Sequence, residues 1–143
     1  MGEQTEPTEL RDELVKLLPL LARDANAAAV VAGTLPGADG VALSGVLRDI
    51  AADELRDLER IAARVASLGG SPTLTGKRLA PPMKFAPAVK GLVAMQRETL
   101  DAVVAAIPAD KDDAEGEASE HLLEHMVSRK RDVIELLERA LRS

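Results

Sequence analysis

The sequence predicts an all-α fold, an antiparallel four-helix bundle, and three observations carry that expectation. Apolar residues recur at threes and fours in four long segments, the spacing of one helix face. No stretch alternates apolar and polar residues between turn signals, as a half-buried strand would. The core must also be built almost without rings, because the 143 residues include one Phe and no Trp or Tyr. Packing from Leu, Val, Ile, Ala and Met suits close-set helices better than a β-sandwich, which leans on aromatic and β-branched residues.

Taken in order, residues 1–7 read as a flexible N-terminal tail and 8–143 as one four-helix-bundle domain. Helix one starts near Thr8, with Glu9 and Asp12 in its first turn complementing the helix dipole, and runs to Thr34. Pro19 inside it should kink or split it. Leu35-Pro36-Gly37 and Gly40 read as a loop. Helix two covers 41–68 and stops at Gly69-Gly70 and Pro72. A connection rich in Thr, Gly and Pro spans Ser71 to Pro82, and either stays at one end of the bundle or crosses its length. Helix three runs from Met83 to Ile107 and ends at Pro108; after a charged turn at Asp110–Asp113, helix four fills Ala114 to Leu141.

Composition excludes several function classes. The net charge of −6 and a pI near 5.0 oppose broad attraction to nucleic acid or an anionic membrane. A single aromatic residue leaves no platform for stacking nucleobases. Without cysteine there is no disulfide, thiolate metal site or thiol nucleophile. The opening MGEQTEPTEL is too acidic and polar for a signal peptide, and no apolar run approaches the ~20 residues of a membrane span. The expectation is a cytoplasmic protein with no nucleic-acid or membrane partner.

Each apolar stripe is interrupted once near its middle. Glu54 falls on the axis of the stripe Leu47, Ile50, Ala51, Leu58, Ile61, Val65 and Leu68, at ~100° per residue. Asp24 interrupts the first stripe, Gln96 the third and Lys130 the fourth. Asp24 lies about ten residues, or ~15 Å, before the end of helix one, and Glu54 about thirteen residues, or ~19 Å, from the start of helix two. Gln96 is at a similar height counted from the opposite end, and Lys130 lies about one turn away. A single polar layer across the bundle follows, completed by Arg129 beside Lys130. An unpaired buried charge costs several kcal/mol, so such a layer must be satisfied internally or bind something.

The segment Asp53-Glu54-Leu55-Arg56-Asp57-Leu58-Glu59, followed by Arg64, Leu68-Gly69-Gly70 and Pro72, resembles the second helix of the ferritin-like superfamily, and of bacterioferritins and mini-ferritins within it. That resemblance implies a di-iron site in which helices one and three each give a glutamate and helices two and four each give Glu-x-x-His. Glu54 matches the helix-two glutamate, but Asp57 stands where its histidine belongs. Helix one offers Asp24, helix three the neutral Gln96, and helix four Ser128-Arg129-Lys130-Arg131. Glu98 is two residues from Gln96 and points ~160° away. The resemblance thus implies a dinuclear site converted into a salt-bridge network, with no catalytic residue and no cofactor. The alternative it leaves open is an iron-binding oxidase or storage protein using Asp24, Glu54, Asp57 and His125. A register-fixing polar layer and a small-molecule pocket are the further readings.

His121-Leu122-Leu123-Glu124-His125 spells the H-x-x-E-H of inverted zincins. That family also needs a distant downstream glutamate, and the chain ends soon after His125, so a solvated turn is expected, able at most to hold stray metal on Glu117, His121 and His125. The short basic clusters Lys77-Arg78 and Arg129-Lys130-Arg131 are expected to be solvated or salt-bridged, and Met83, Met95 and Met126 to fill core space. Helix one is apolar nearly all round at Leu17–Leu21 and Ala27–Ala32. Such a helix is covered on both sides. The expectation is a homodimer through helices one and two, burying Leu18 and Val30, as the ferritin-like resemblance also implies. The function expected is therefore a non-enzymatic structural or interaction protein on a ferritin-like scaffold.

Overall fold

The computed structural model describes residues 7–74, 80–108 and 114–143. Four helices account for most of them: α1 (Pro7–Thr34), α2 (Gly37–Ser67), α3 (Phe85–Ala106) and α4 (Ala114–Arg142). No strand occurs among the described residues. Residues 1–6, the Lys77-Arg78 pair and the Asp110–Asp113 turn lie outside them.

Two boundaries differ from the sequence reading for physical reasons. Pro7 belongs to α1, since proline at a first helical position gives up an N–H that has no helical acceptor anyway. The expected loop at residues 35–40 shrinks to Leu35-Pro36, with α2 beginning at Gly37. Two glycines permit that tight corner. Gly37 takes φ of 75°, and a Cβ on Gly40 would lie 2.7 Å from the Leu35 carbonyl group. Pro19 does not split α1, which stays one helix of 28 residues. The stop at Gly69-Gly70 forms as expected. Gly69 has φ of 81°, and the N–H groups of Gly69 and Gly70 donate to the carbonyls of Ala66 and Val65, a Schellman closure.

The buried side chains form two separate apolar clusters, one toward each end of the bundle. One joins Ala27–Ala32 of α1 and Leu35 just after it, Leu43–Ala51 of α2, Ala88–Val93 of α3 and Ile134 and Leu137 of α4. The other joins Leu10–Leu21, Ile61 and Val65, Val103 and Ala106, and Leu123 and Met126. These groupings fix the direction of every helix. The C-terminal halves of α1 and α4 share an end with the N-terminal halves of α2 and α3. The bundle is therefore up-down-down-up, with α2 and α3 parallel and diagonal. α1 packs on α2 and α3, and α4 packs closely on α3 and sparsely on α2, so neighbouring helices are antiparallel. The end of α2 and the start of α3 therefore lie at opposite ends of the bundle. Gln96 consequently takes its height from the same end as Glu54, not the opposite one.

The broad apolar surface of α1 is used inside the chain. Because α2 lies on one side of α1 and α3 on another, Leu17, Leu18 and Leu21 are all buried, and Leu18 keeps only 1% of its surface. Leu18 therefore cannot line an interface between copies as expected, whereas Val30 remains exposed. Met83 precedes α3 and is exposed rather than core, while Met126 is fully buried.

Candidate functional site: a polar layer between two apolar clusters

The gap between the clusters is filled by polar side chains from all four helices. Asp24, Glu54, Asp57, Gln96, Thr99 and Lys130 are all at least nine-tenths buried. Each helix keeps its apolar stripe above and below this level and breaks it here, so the layer is a property of the sequence period rather than of any loop.

Lys130 closes the centre. Its Nζ donates to Asp24 Oδ2 and to Glu54 Oε1, each at 3.0 Å. Gln96 Nε2 also donates to Glu54 Oε1. A second branch runs through Arg23, which the sequence reading missed. Arg23 Nε and one terminal nitrogen donate to Asp24 Oδ1 at 3.2 and 3.1 Å. The guanidinium also donates to the Met95 carbonyl at 3.1 Å, to Thr99 Oγ1 at 3.3 Å and to Glu98 Oε2 at 3.0 Å. Glu98, which points away from Gln96, is thus the outer anchor of the α1–α3 seam. The available signal was the adjacency of Arg23 to Asp24, a cation long enough to fold back over its neighbour. The third branch pairs Arg129 with Asp57, and Arg60 lies 3.9 Å from the same oxygen.

Burial is the main force on the two α2 carboxyls. It pushes Glu54 above its ordinary range; Lys130 pulls against that shift, Asp24 adds to it, and the Gln96 hydrogen bond pulls it down. Asp57 is likewise pushed up by burial, against the downward pull of Arg129, Lys130 and Arg60. Among the described residues, three buried side-chain atoms have no hydrogen-bond partner: Glu54 Oε2, Gln96 Oε1 and Arg129 Nε. Glu54, Asp57, Arg129 and Lys130 also line a cavity of about 220 Å³ where α2 and α4 stand apart.

The structure thus brings together Asp24, Glu54, Gln96, Lys130 and Arg129, and adds Asp57, Arg23 and Thr99. It does not bring His125 to them; His121, Glu124 and His125 are exposed on α4, as is Glu117. Among the described residues, no three Asp, Glu, His or Cys side chains are grouped to hold a metal. A di-iron pair does not fit this arrangement, since an ammonium stands between the two carboxylates where a cation would sit. The layer can pair charge and fix helix register, and its free Glu54 oxygen can accept one further donor.

No protein-family model and no curated protein matches the sequence. Solved structures do match in shape. A ferritin-like, diiron-carboxylate protein from Bacillus anthracis superposes with a TM-score of 0.86 at 19% identity, covering 99% of both chains. A dodecameric, bacterioferritin-related thioferritin from Bacteroides fragilis gives 0.84 at 16% identity, over 96% of this chain and 86% of that one. The DPS protein of Vibrio cholerae, from the superfamily of ferritin-like diiron-carboxylate proteins, gives 0.84 at 15% identity, over 96% and 91%. The fold is ferritin-like. No helix among the described residues is long and apolar enough to cross a membrane.

Proposed function

We propose that this ferritin-like chain is a non-enzymatic structural or interaction protein, a homodimer of the cytoplasm, in which an internal ion-pair network stands in place of a di-iron centre. The observation that carries the reading is Lys130, whose Nζ sits 3.0 Å from both Asp24 and Glu54. One fixed ammonium supplies a charge that iron would otherwise bring, and its four-carbon stem fills the space between the helices. A buried pair of this kind sets register and orientation more than it adds stability. Self-association is supported by Val30, Val41 and Leu55, large apolar side chains left exposed on α1 and α2. It is supported as well by the dodecamer named for the Bacteroides fragilis neighbour.

The rival reading is an iron-binding oxidase or storage protein using Asp24, Glu54, Asp57 and His125. It would require Lys130 to swing out of the layer and His125 to turn in from the surface. Aerobic oxidation of ferrous ion separates the two. The proposal expects a rate indistinguishable from buffer. A rate well above buffer that disappears in Glu54→Ala would replace it with the rival.

A further inference from the structure

The chain has two histidines, and both stand on α4, four residues apart at His121 and His125. At ~100° per residue they lie ~40° from each other around the helix, while Leu123, Met126 and Lys130 occupy the other side. Those three are buried and both histidines are exposed. Glu117, one turn before His121, and Glu124, beside His125, are exposed as well.

The backbone beneath the pair is held in place. Leu123 and Met126 are fully buried in the apolar cluster that also takes Ile61 and Val65 of α2 and Val103 of α3. The spacing of the two imidazoles is therefore set by a docked helical turn before any ligand arrives. Residues one turn apart place their Cβ atoms ~5–6 Å from each other, close enough for two rings to share one ion at bonds of ~2.0–2.1 Å. Imidazole nitrogen suits nickel, copper and zinc, whereas magnesium and calcium take oxygen ligands. The chain has no cysteine to compete for such an ion. Among the described residues no three Asp, Glu, His or Cys side chains gather to hold a metal. The protein thus supplies two ligands and leaves the remaining coordination positions to water.

We propose that His121 and His125 form a surface chelate for one late divalent transition ion, of the nickel, copper and zinc class. Copper is held most tightly, following the general order of affinity for nitrogen ligands. Glu117, Glu124 and the net charge of −6 draw the cation toward this face without ligating it. The chelate shares no residue with the ion-paired layer, so it stands or falls independently of how that layer is read.

The test is calorimetric titration of the intact, untagged chain with zinc chloride, nickel chloride and magnesium chloride, with imidazole NMR following zinc. The expected result is saturable one-to-one binding of zinc and nickel, both ring signals moving together, and no response to magnesium. Copper(II) should displace the zinc. His121→Ala and His125→Ala should each weaken zinc at least about tenfold, because a lone imidazole loses the effective concentration of its neighbour. Alanine at these exposed positions keeps the helix, so each variant should melt like the wild type without metal. Zinc should raise the melting temperature of the wild type and of neither variant. Movement of only one ring, an equal response to magnesium, or zinc binding unchanged in both variants overturns the proposal. So does saturation only above about millimolar zinc, which would mark an adventitious ion only.

Discussion

Replacing Lys130 with Met removes the cation at the centre of the layer while keeping most of the side chain's volume. Asp24 retains Arg23, which donates to it twice at 3.1–3.2 Å. Glu54 retains only its Gln96 hydrogen bond. The least costly response is for Glu54 to take up a proton. From an ordinary value of 4.5, protonation at pH 7 costs about 3.4 kcal/mol at ~1.36 kcal/mol per pH unit. That falls within the ~3–5 kcal/mol typical of breaking a buried pair from one side. The expected loss at pH 7 is therefore about 3 kcal/mol, shrinking below ~1 kcal/mol at pH 5. The sign follows from a folded carboxyl held above its unfolded value. Its contribution is fully present below the unfolded value and is lost as pH rises through the folded one. Urea melts of both chains at pH 5 and pH 7 measure this directly, with unchanged slopes confirming comparable unfolding. Combining Asp24→Leu, Glu54→Leu and Lys130→Met should recover much of the loss, since an apolar layer of similar volume often equals a buried pair. A single-variant loss below ~0.5 kcal/mol at pH 7, or one independent of pH, would show that Lys130 does not neutralise Glu54.

Other perturbations separate assembly from folding. Sedimentation at micromolar concentration should show a dimer, and Val30→Asp should shift it toward monomer; a wild-type monomer defeats that proposal, and an unmoved dimer places the interface elsewhere. Leu18→Ala should cost ~2–5 kcal/mol in a denaturant melt through the cavity it opens, with no change in association. Gly40→Ala should destabilise by ~1–3 kcal/mol, because the added methyl meets backbone atoms of Leu35 that cannot step aside. A neutral Gly40→Ala in the same melt would mean that the α1–α2 corner is looser than described.

The four helices were legible in the sequence because their stripes are long and their stops are chemical: Gly69 needs positive φ, and Pro108 follows the last turn of α3. The interruptions Asp24, Glu54, Gln96 and Lys130 were legible for the same reason, since period alone puts them on the buried axis. The direction of α3 relative to α2 was not. A stripe reads the same in either direction, and only the grouping of Ala88–Val93 with Leu43–Ala51 reveals that α2 and α3 run in parallel. Arg23 was missed because a residue at the flank of a stripe has no periodic signature; its role comes from reaching α3. Leu18 was misplaced because apolar breadth on α1 is the same whether a neighbouring helix or a second copy covers it. Asp57 was read as a lost histidine position, and its pairing with Arg129 depends on that long side chain reaching across the sparse α2–α4 contact.

In the proposed function, Lys130 takes the place of a metal at the centre of this polar layer. Iron content of untagged protein, purified from cells supplied with iron and measured per chain by elemental analysis, tests it most directly. Iron far below one atom per chain, unchanged by Glu54→Ala, is the expected result. One or two atoms per chain, lost in Glu54→Ala and unaffected by His121→Ala, would contradict it.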